Sequence, residues 1–354
     1  MNKLSALKEK IKKFDIYGNR RIFYIVPLVI ILVMIICGLC YQFSSDRQYF
    51  ANVGIDFQGG TILTIEFEDA NANASNYKTN VEKISEVVAK YGADVSVDQS
   101  SGESTIIVQY TNWTTGEGST TNDAEEMSDI NASIQNDLYA LSDSNGIDKI
   151  VENGINFSTI GNESSKNLLQ TSAIAVAIAL VLMLLYIIIR FDFYSGLAAV
   201  IALFHDIVIM LSLTVIFYVE ISDSIVAGLI TIVAYSINNT IVVFDRIRTS
   251  IKPYKKSGSK YDVGFIINNS IYSTMTRTLY TTLTTLVVMI ILVAMGVTSI
   301  QTFGLPIIFG LIAGFYSSVF IAGPLWGELK DLGTKIKIKA QNKKFAKAHG
   351  AKTN

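Results

Sequence analysis

The chain has 354 residues, half of them hydrophobic, with a formal net charge of −1 and a mean hydropathy of +0.39. Apolar runs long enough to cross a bilayer exclude a soluble globular class and mark a polytopic membrane protein. Two histidines without an HExxH pattern, and two cysteines whose single CxxC spacing, Cys37-Gly-Leu-Cys40, lies inside the first apolar run with no second pair, leave neither a disulfide scaffold nor a metal site expected.

Residues 1–21 carry seven basic side chains against Glu9 and Asp15. Leu4, Leu7, Ile11 and Phe14 recur at helical spacing, which fits either a short amphipathic helix on an anionic leaflet or a solvated basic tail. Residues 22–43 form the first expected span, a retained anchor with an early Pro27 and no cleavage site.

Residues 44–165 differ in kind, being rich in Asn, Ser and Thr with 20 acidic side chains. Gly54 to Phe67 alternates as a strand, setting Ile62, Thr64 and Glu66 against Leu63, Ile65 and Phe67. Tyr77 to Tyr91 places Val81, Ile84, Val87 and Val88 on one helical face, with Gly92 as its cap. Ala93–Asp98 and Ser104–Tyr110 read as strands joined through Gln-Ser-Ser-Gly. Asp123–Leu141 is helical, with Met127, Ile130, Ile134, Leu138 and Leu141 in line, and Lys149–Ile160 is a last strand. The order β-α-β-β-α-β is that of a ferredoxin-like α+β domain, helices on one face of an antiparallel sheet and the other face open. The Asn-x-Ser/Thr triplets at Asn73, Asn112, Asn131, Asn156 and Asn162 reflect abundant Asn.

Five further apolar runs follow, at 168–189, 195–218, 224–244, 274–295 and 300–326, with a loop at 246–273 and a Lys-rich tail at 327–354. The basic N-terminus, six basic residues without an acid over 246–260, and eight lysines after Gly327 fall on one side of six spans. That side is expected to be cytoplasmic, which puts 44–165 outside.

The fourth run, SIVAGLITIVAYSINNTIVVFDRIR, sinks Ser236, Asn238, Asn239 and Thr240 into a membrane helix and ends in Asp245, Arg246 and Arg248. Intramembrane polar groups mark either function or helix–helix glue. His205 and Asp206 lie in the third span and Arg277 in the fifth. At 1.5 Å rise per residue Asp206 is roughly 15–20 Å from its helix end, near mid-bilayer. An Asp206–Arg277–Asn239 cluster bridging three helices is therefore expected, as a proton relay or a static ion pair. Asp245, at the helix end, is a further ion-coupling candidate or, more simply, pairs with a basic neighbour. Thr274, Thr276, Thr278, Thr281, Thr282, Thr284 and Thr285 make the fifth span face protein, and Gly310 and Gly314 make a close-packing face on the sixth. Gly54-x-x-x-x-Gly59-Gly60-Thr61 lacks the lysine of a phosphate loop, and no GxSxG elbow or catalytic carboxylate pair occurs. No enzymatic activity, metal or cofactor is expected, so energy comes from an ion gradient or an associated motor.

VGIDFQGGT, FHD, AYSINNTIVVFDRIR, NNSIYSTMTRTLYTTLTTL and FGLIAGFYSSVFIAGPL, in that order over nearly the whole chain, resemble the SecF branch of the SecD/SecF family, in the resistance–nodulation–division superfamily. The resemblance implies an auxiliary subunit of the bacterial cytoplasmic membrane. It pairs with SecD, docks on SecYEG, associates with YajC and a YidC-type insertase, and promotes late export of unfolded preproteins on a proton or sodium gradient. It makes Gly54, Asp56, Phe57, Gly59, Gly60 and Thr61 the family's extracytoplasmic motif, and places ion coupling at Asn239 and Arg277. The family's fourth-span motif reads SIND; here Asn239 is an amide and cannot titrate. Three routes stay open: the SecD partner supplies the carboxylate, Asp206 substitutes, or an Asn carbonyl helps coordinate sodium. The rival readings are a non-energised scaffold or insertion factor and a small-molecule or lipid exporter, the latter expected to be a duplicated chain with two large outer domains.

Overall fold

The computed structural model describes residues 14–44, 49–68, 76–91, 94–100, 105–111 and 124–350. The expected helix over Leu4–Ile11, the Gly92 cap, the turn at 101–104 and the Asn73 and Asn112 triplets lie outside them.

Among the described residues, six helices are long and apolar enough to cross a membrane. They are α1 (Arg20–Gln42), α5 (Asn162–Arg190), α6 (Phe193–Ile216), α7 (Ser224–Ser257), α8 (Val263–Ala294) and a sixth, composite one. That last helix runs as α9 (Thr298–Tyr316), a π-helical stretch (Ser317–Ala322) and α10 (Gly323–Gly350). α6 and the composite helix form the middle of the bundle, with Ala198, Ala199, Ala202, Leu203, Leu311, Val319 and Ala322 buried. Small residues on α6 let its neighbours approach closely. α1 and α5 are peripheral, and their Leu28, Leu32, Ile174 and Leu182 point away from the protein, as hydrocarbon-facing positions do.

The loop expected at 246–273 is mostly helical. α7 continues to Ser257, with Pro253 inside it, and α8 begins at Val263, leaving Gly258–Asp262 between them. Gly258 takes the left-handed conformation (φ +67°) that closes α7, and Asp262 Oδ1 accepts from the Gly264 and Phe265 amides to open α8. Local caps thus replace a long connection.

Between α1 and α5 stands the α+β domain. A short helix, α2 (Ile55–Gln58), leads to β1 (Gly60–Phe67), α3 (Tyr77–Ala89), β2 (Asp94–Ser100), β3 (Thr105–Thr111), α4 (Ala124–Asp143) and β4 (Ile150–Ile160). The strands pair antiparallel in the order β2-β3-β1-β4, which is the ferredoxin-like split unit. Leu63, Ile65 and Phe67 of β1 meet Ile84 and Val88 of α3 and Ile134 and Leu138 of α4 in one core. Each such buried side chain stabilises by about 1.5–3 kcal/mol. The other face carries Ile62, Thr64 and Glu66 beside Asn156 and Ser158, all of them partly or fully exposed.

The single strand expected over Gly54–Phe67 is broken. Gly59 (φ +78°) and Gly60 (φ +153°) turn the backbone between α2 and β1, in conformations that side chains disfavour. A Cβ on Gly60 would also stand 2.5 Å from the Tyr110 carbonyl oxygen.

Candidate functional site

The buried polar centre of the bundle is Asp206, on the α6 face that packs against α7 and the composite helix. Its side chain is enclosed. Oδ2 accepts hydrogen bonds from Ser236 Oγ of α7 and from Ser317 Oγ at 2.8 Å. Oδ1 lies 2.9 Å from His205 Nδ1, and the His205 ring stacks on Tyr316. Three helices therefore converge on one carboxylate, each through a different donor.

Close backbone approach makes this possible. A Cβ at Gly310 would meet Ile232 Cγ1 at 2.5 Å, and one at Gly314 would meet Ser236 Cβ at 3.1 Å. Glycine at these two positions brings α9 against α7 over the two turns before Ser317. The π-helical stretch then starts at Ser317 itself. One residue more per turn re-aims the side chains there, a local irregularity frequent at functional positions. Ser318 turns the other way, sharing a hydroxyl contact with Thr240 at 3.2 Å and donating to the Gly314 carbonyl at 2.6 Å.

The expected Asp206–Arg277–Asn239 cluster does not form within the chain. Asn239 is buried, but its amide reaches Thr282 Oγ1 at 3.5 Å, and Ser236 rather than Asn239 meets Asp206. Arg277 is exposed and pairs with no carboxylate among the described residues. The reason is helical phase. Thr274, Thr278 and Thr282 form the buried stripe of α8, and Arg277 is about 100° off it. Asn238 is likewise exposed, opposite the buried Ser236–Asn239–Thr240–Val243 face. Asp245 is exposed, and its neighbours bond elsewhere: Arg246 to Ser273 Oγ and Arg248 to the Arg190 carbonyl. Ser317 was absent from the sequence-predicted set. Its only signal was a Ser-Ser pair inside an apolar run.

The glycine motif forms a second, mechanical site. Gly54 N donates to the Ile221 carbonyl at 3.0 Å, Ile221 N donates to the Asn52 carbonyl at 2.8 Å, and Val53 bridges Ile221 in parallel. Asp56 Oδ2 accepts from the Asp223 amide at 3.0 Å, and Phe57 packs against the cluster of Met210, Ile225 and Ile307. A side chain on Gly54 would collide with Glu220, whose carboxylate accepts from Gln109 of β3. Thr61 and Thr159 share a hydroxyl contact at 3.0 Å inside the sheet. The motif straps the base of the α+β domain to the turn joining α6 and α7.

The described residues hold no cluster of His, Cys, Asp and Glu fit for a metal. Comparison with known proteins gives a consistent picture. The description "Protein export membrane protein SecD/SecF, C-terminal" matches residues 143–332, and the SecD/SecF GG motif matches residues 52–70. Protein translocase subunit SecF of Rickettsia bellii (strain OSU 85-389) is 28% identical over 91% of this chain and 95% of its own length. That of Rickettsia felis is 29% identical over 91% and 93%. The crystal structure of SecDF from Thermus thermophilus, a translocon-associated membrane protein, superposes with a TM-score of 0.66 and 26% identity, covering 90% of this chain and 39% of that one. SecDF in a super-membrane-facing form gives 0.59 and 25%, covering 92% and 40%. The chain thus spans about two-fifths of the solved SecDF chains.

Proposed function

We propose a function from the premise that the chain belongs to the SecD/SecF family of protein export membrane proteins: it is an auxiliary subunit of Sec protein translocation that works with a SecD-type half and docks on the SecYEG channel. Within it, Asp206 carries the ion-responsive charge of this half, and the glycine strap passes the rearrangement to the outer α+β domain. The observation that carries this reading is the convergence of Ser236 and Ser317, from two different helices, on one oxygen of a buried carboxylate. Arriving or departing charge changes what those hydroxyls bond to, so helix positions respond to it. Arg277, exposed on α8, is positioned for a group outside this chain, which fits the SecD-type half as its carboxylate donor. The open sheet face is where emerging polypeptide is contacted, by pairing or by side-chain pockets. The basic ends of the spans lie in the cytoplasm and the α+β domain outside.

A second reading, a non-energised scaffold, draws support from Asn239, which cannot titrate. Preprotein translocation into inverted vesicles carrying this chain and its SecD-type partner separates the two. The coupled reading expects an uncoupler to slow export and Asp206→Asn to remove most of that sensitivity. Export that is equally fast with and without the uncoupler refutes ion coupling. Sensitivity unchanged in Asp206→Asn refutes the assignment to Asp206.

A further inference from the structure

A cavity lies away from Asp206, at the basic end of the bundle, and neither the translocation role nor the ion site uses it. It has a volume of about 400 Å³ and is walled by the α5–α6 junction, the late turns of α7 and the start of α10. That size is within the range of ligand pockets, roughly 300–1,000 Å³. Its floor is apolar: Phe244 and Trp326 are buried, and Phe191 sits edge-on to Phe244. Its rim is cationic, with Arg248, Lys252 and Lys255 from α7 facing Lys330 of α10.

Four cations stand against one lining carboxylate, Asp192, which already accepts a hydrogen bond from Ser195. None of the four makes an ion pair among the described residues. Lys330 is held in place instead, its ammonium 4.5 Å from the Trp326 ring centroid and 2.5 Å from Tyr261 Oη. Arg248 is oriented by its bond to the Arg190 carbonyl at 3.0 Å. Both keep further N–H groups for an anion.

Depth selects the kind of anion. α7 has 34 residues, so at 1.5 Å each it is about 51 Å long, against a hydrocarbon layer of about 30 Å. Counted from Ser224, roughly 20 residues reach the far edge of that layer, close to Phe244. The apolar floor then meets acyl chains, and the rim of Arg248, Lys252 and Lys255 stands at headgroup level. We infer that this cavity binds the phosphodiester headgroup of an anionic phospholipid, held between α7 and α10.

Native mass spectrometry of the full chain in neutral detergent tests this, with dioctanoyl phosphatidylglycerol, dioctanoyl phosphatidylcholine and inorganic phosphate as probes. The expected result is half-occupancy by the glycerol lipid at a concentration at least about tenfold below that for the choline lipid. The double variant Lys252→Gln/Lys255→Gln raises that concentration roughly thirtyfold, the factor that two interfacial lysines at about 1 kcal/mol each supply together. Lys330→Gln weakens binding in the same direction, while Lys335→Gln/Lys337→Gln, on α10 outside the cavity, leaves it unchanged. All these lysines are on the surface or partly so, and monodisperse elution confirms folding. Equal occupancy by the two lipids overturns the inference, as does an equal loss in the Lys335/Lys337 variant. Displacement of the lipid by inorganic phosphate at the same concentration also overturns it, because the site then recognises free phosphate.

Discussion

Ser317 and Ser318 are adjacent, fully buried and equal in volume, and both reach the Gly314 carbonyl, at 3.3 and 2.6 Å, but only one meets a carboxylate. Ser317 lies 2.8 Å from the Asp206 carboxylate; Ser318 meets the Thr240 hydroxyl instead. Hydrogen bonds to a charged group contribute about 1.5–3 kcal/mol, whereas neutral side-chain bonds inside membrane proteins average about 0.6 kcal/mol. Ser317→Ala should therefore destabilise the bundle by about 1.5–3 kcal/mol when Asp206 is ionised, and Ser318→Ala by about 0.6 kcal/mol. In an Asp206→Asn background the cost of Ser317→Ala should fall to the neutral value, leaving a coupling energy of about 1–2 kcal/mol. The measurement is a double-mutant cycle on equilibrium unfolding in mixed micelles. Equal costs for the two serines, or coupling below about 0.5 kcal/mol, would show that Asp206 is not charged against Ser317. The reading of this site as a charge-responsive centre would then fail.

Three other outcomes are expected. Asn239→Ala should impair preprotein translocation into vesicles less than Arg277→Ala, because the first removes one 3.5 Å contact and the second an exposed charge proposed to pair with the SecD-type half; equal, severe losses would count against that ranking. Gly310→Ala should cost about 1–3 kcal/mol of unfolding stability through overpacking on the stiff Ile232 side chain, and an unchanged stability would mean that α7 and α9 do not pack this closely. Asp15 is held below the ordinary carboxylate range by the Gly18 amide and then by Asn268, so its contribution is present above the ordinary Asp value and lost as pH falls through the lowered one. Protection of the Tyr17 amide, which bonds to Asn268, should accordingly drop in hydrogen exchange on acidification, and Asp15→Asn should abolish that dependence.

The fold was readable from the chain because its main signals are long and periodic. Six apolar runs gave six spans, and the strand–helix alternation of residues 60–160 gave the split sheet, whose buried Leu63, Ile65 and Phe67 have exact period two. Errors arose where one or two residues override a period. Gly59 and Gly60 break what alternation reads as a continuous strand. Gly258 and Asp262 replace a long loop with a tight cap-to-cap turn.

The site was legible as a set of polar residues but not as a constellation. Ser236, Asn238, Asn239 and Thr240 all stand out by composition, yet only helical phase separates the buried three from Asn238. The same 100° step turns Arg277 away from Thr278. Ser317 continues the Gly310–Gly314 face at helical spacing, but a lone serine in an apolar run does not reveal that the facing helix carries a carboxylate.

Magnitudes tie the two sites together. Moving one elementary charge through 100 mV supplies about 2.3 kcal/mol, and one charge-assisted hydrogen bond contributes about 1.5–3 kcal/mol. A single ion event at Asp206 is thus on the scale of exchanging one of its serine bonds, enough to bias two helix arrangements of similar energy. Asp206 is 10 residues from Ile216, where α6 ends, and Ser236 is 12 from Ser224, where α7 begins, so they stand about 15 and 18 Å from the α6–α7 turn. That turn is where the Gly54, Asn52 and Asp56 bonds attach the outer domain. On the proposed coupling, a relative shift of α6 and α7 at the carboxylate would reach, along two unbroken helices, the connection that bears the strap. Gly54 and Gly60, where a side chain would collide, are the positions at which the strap cannot slacken.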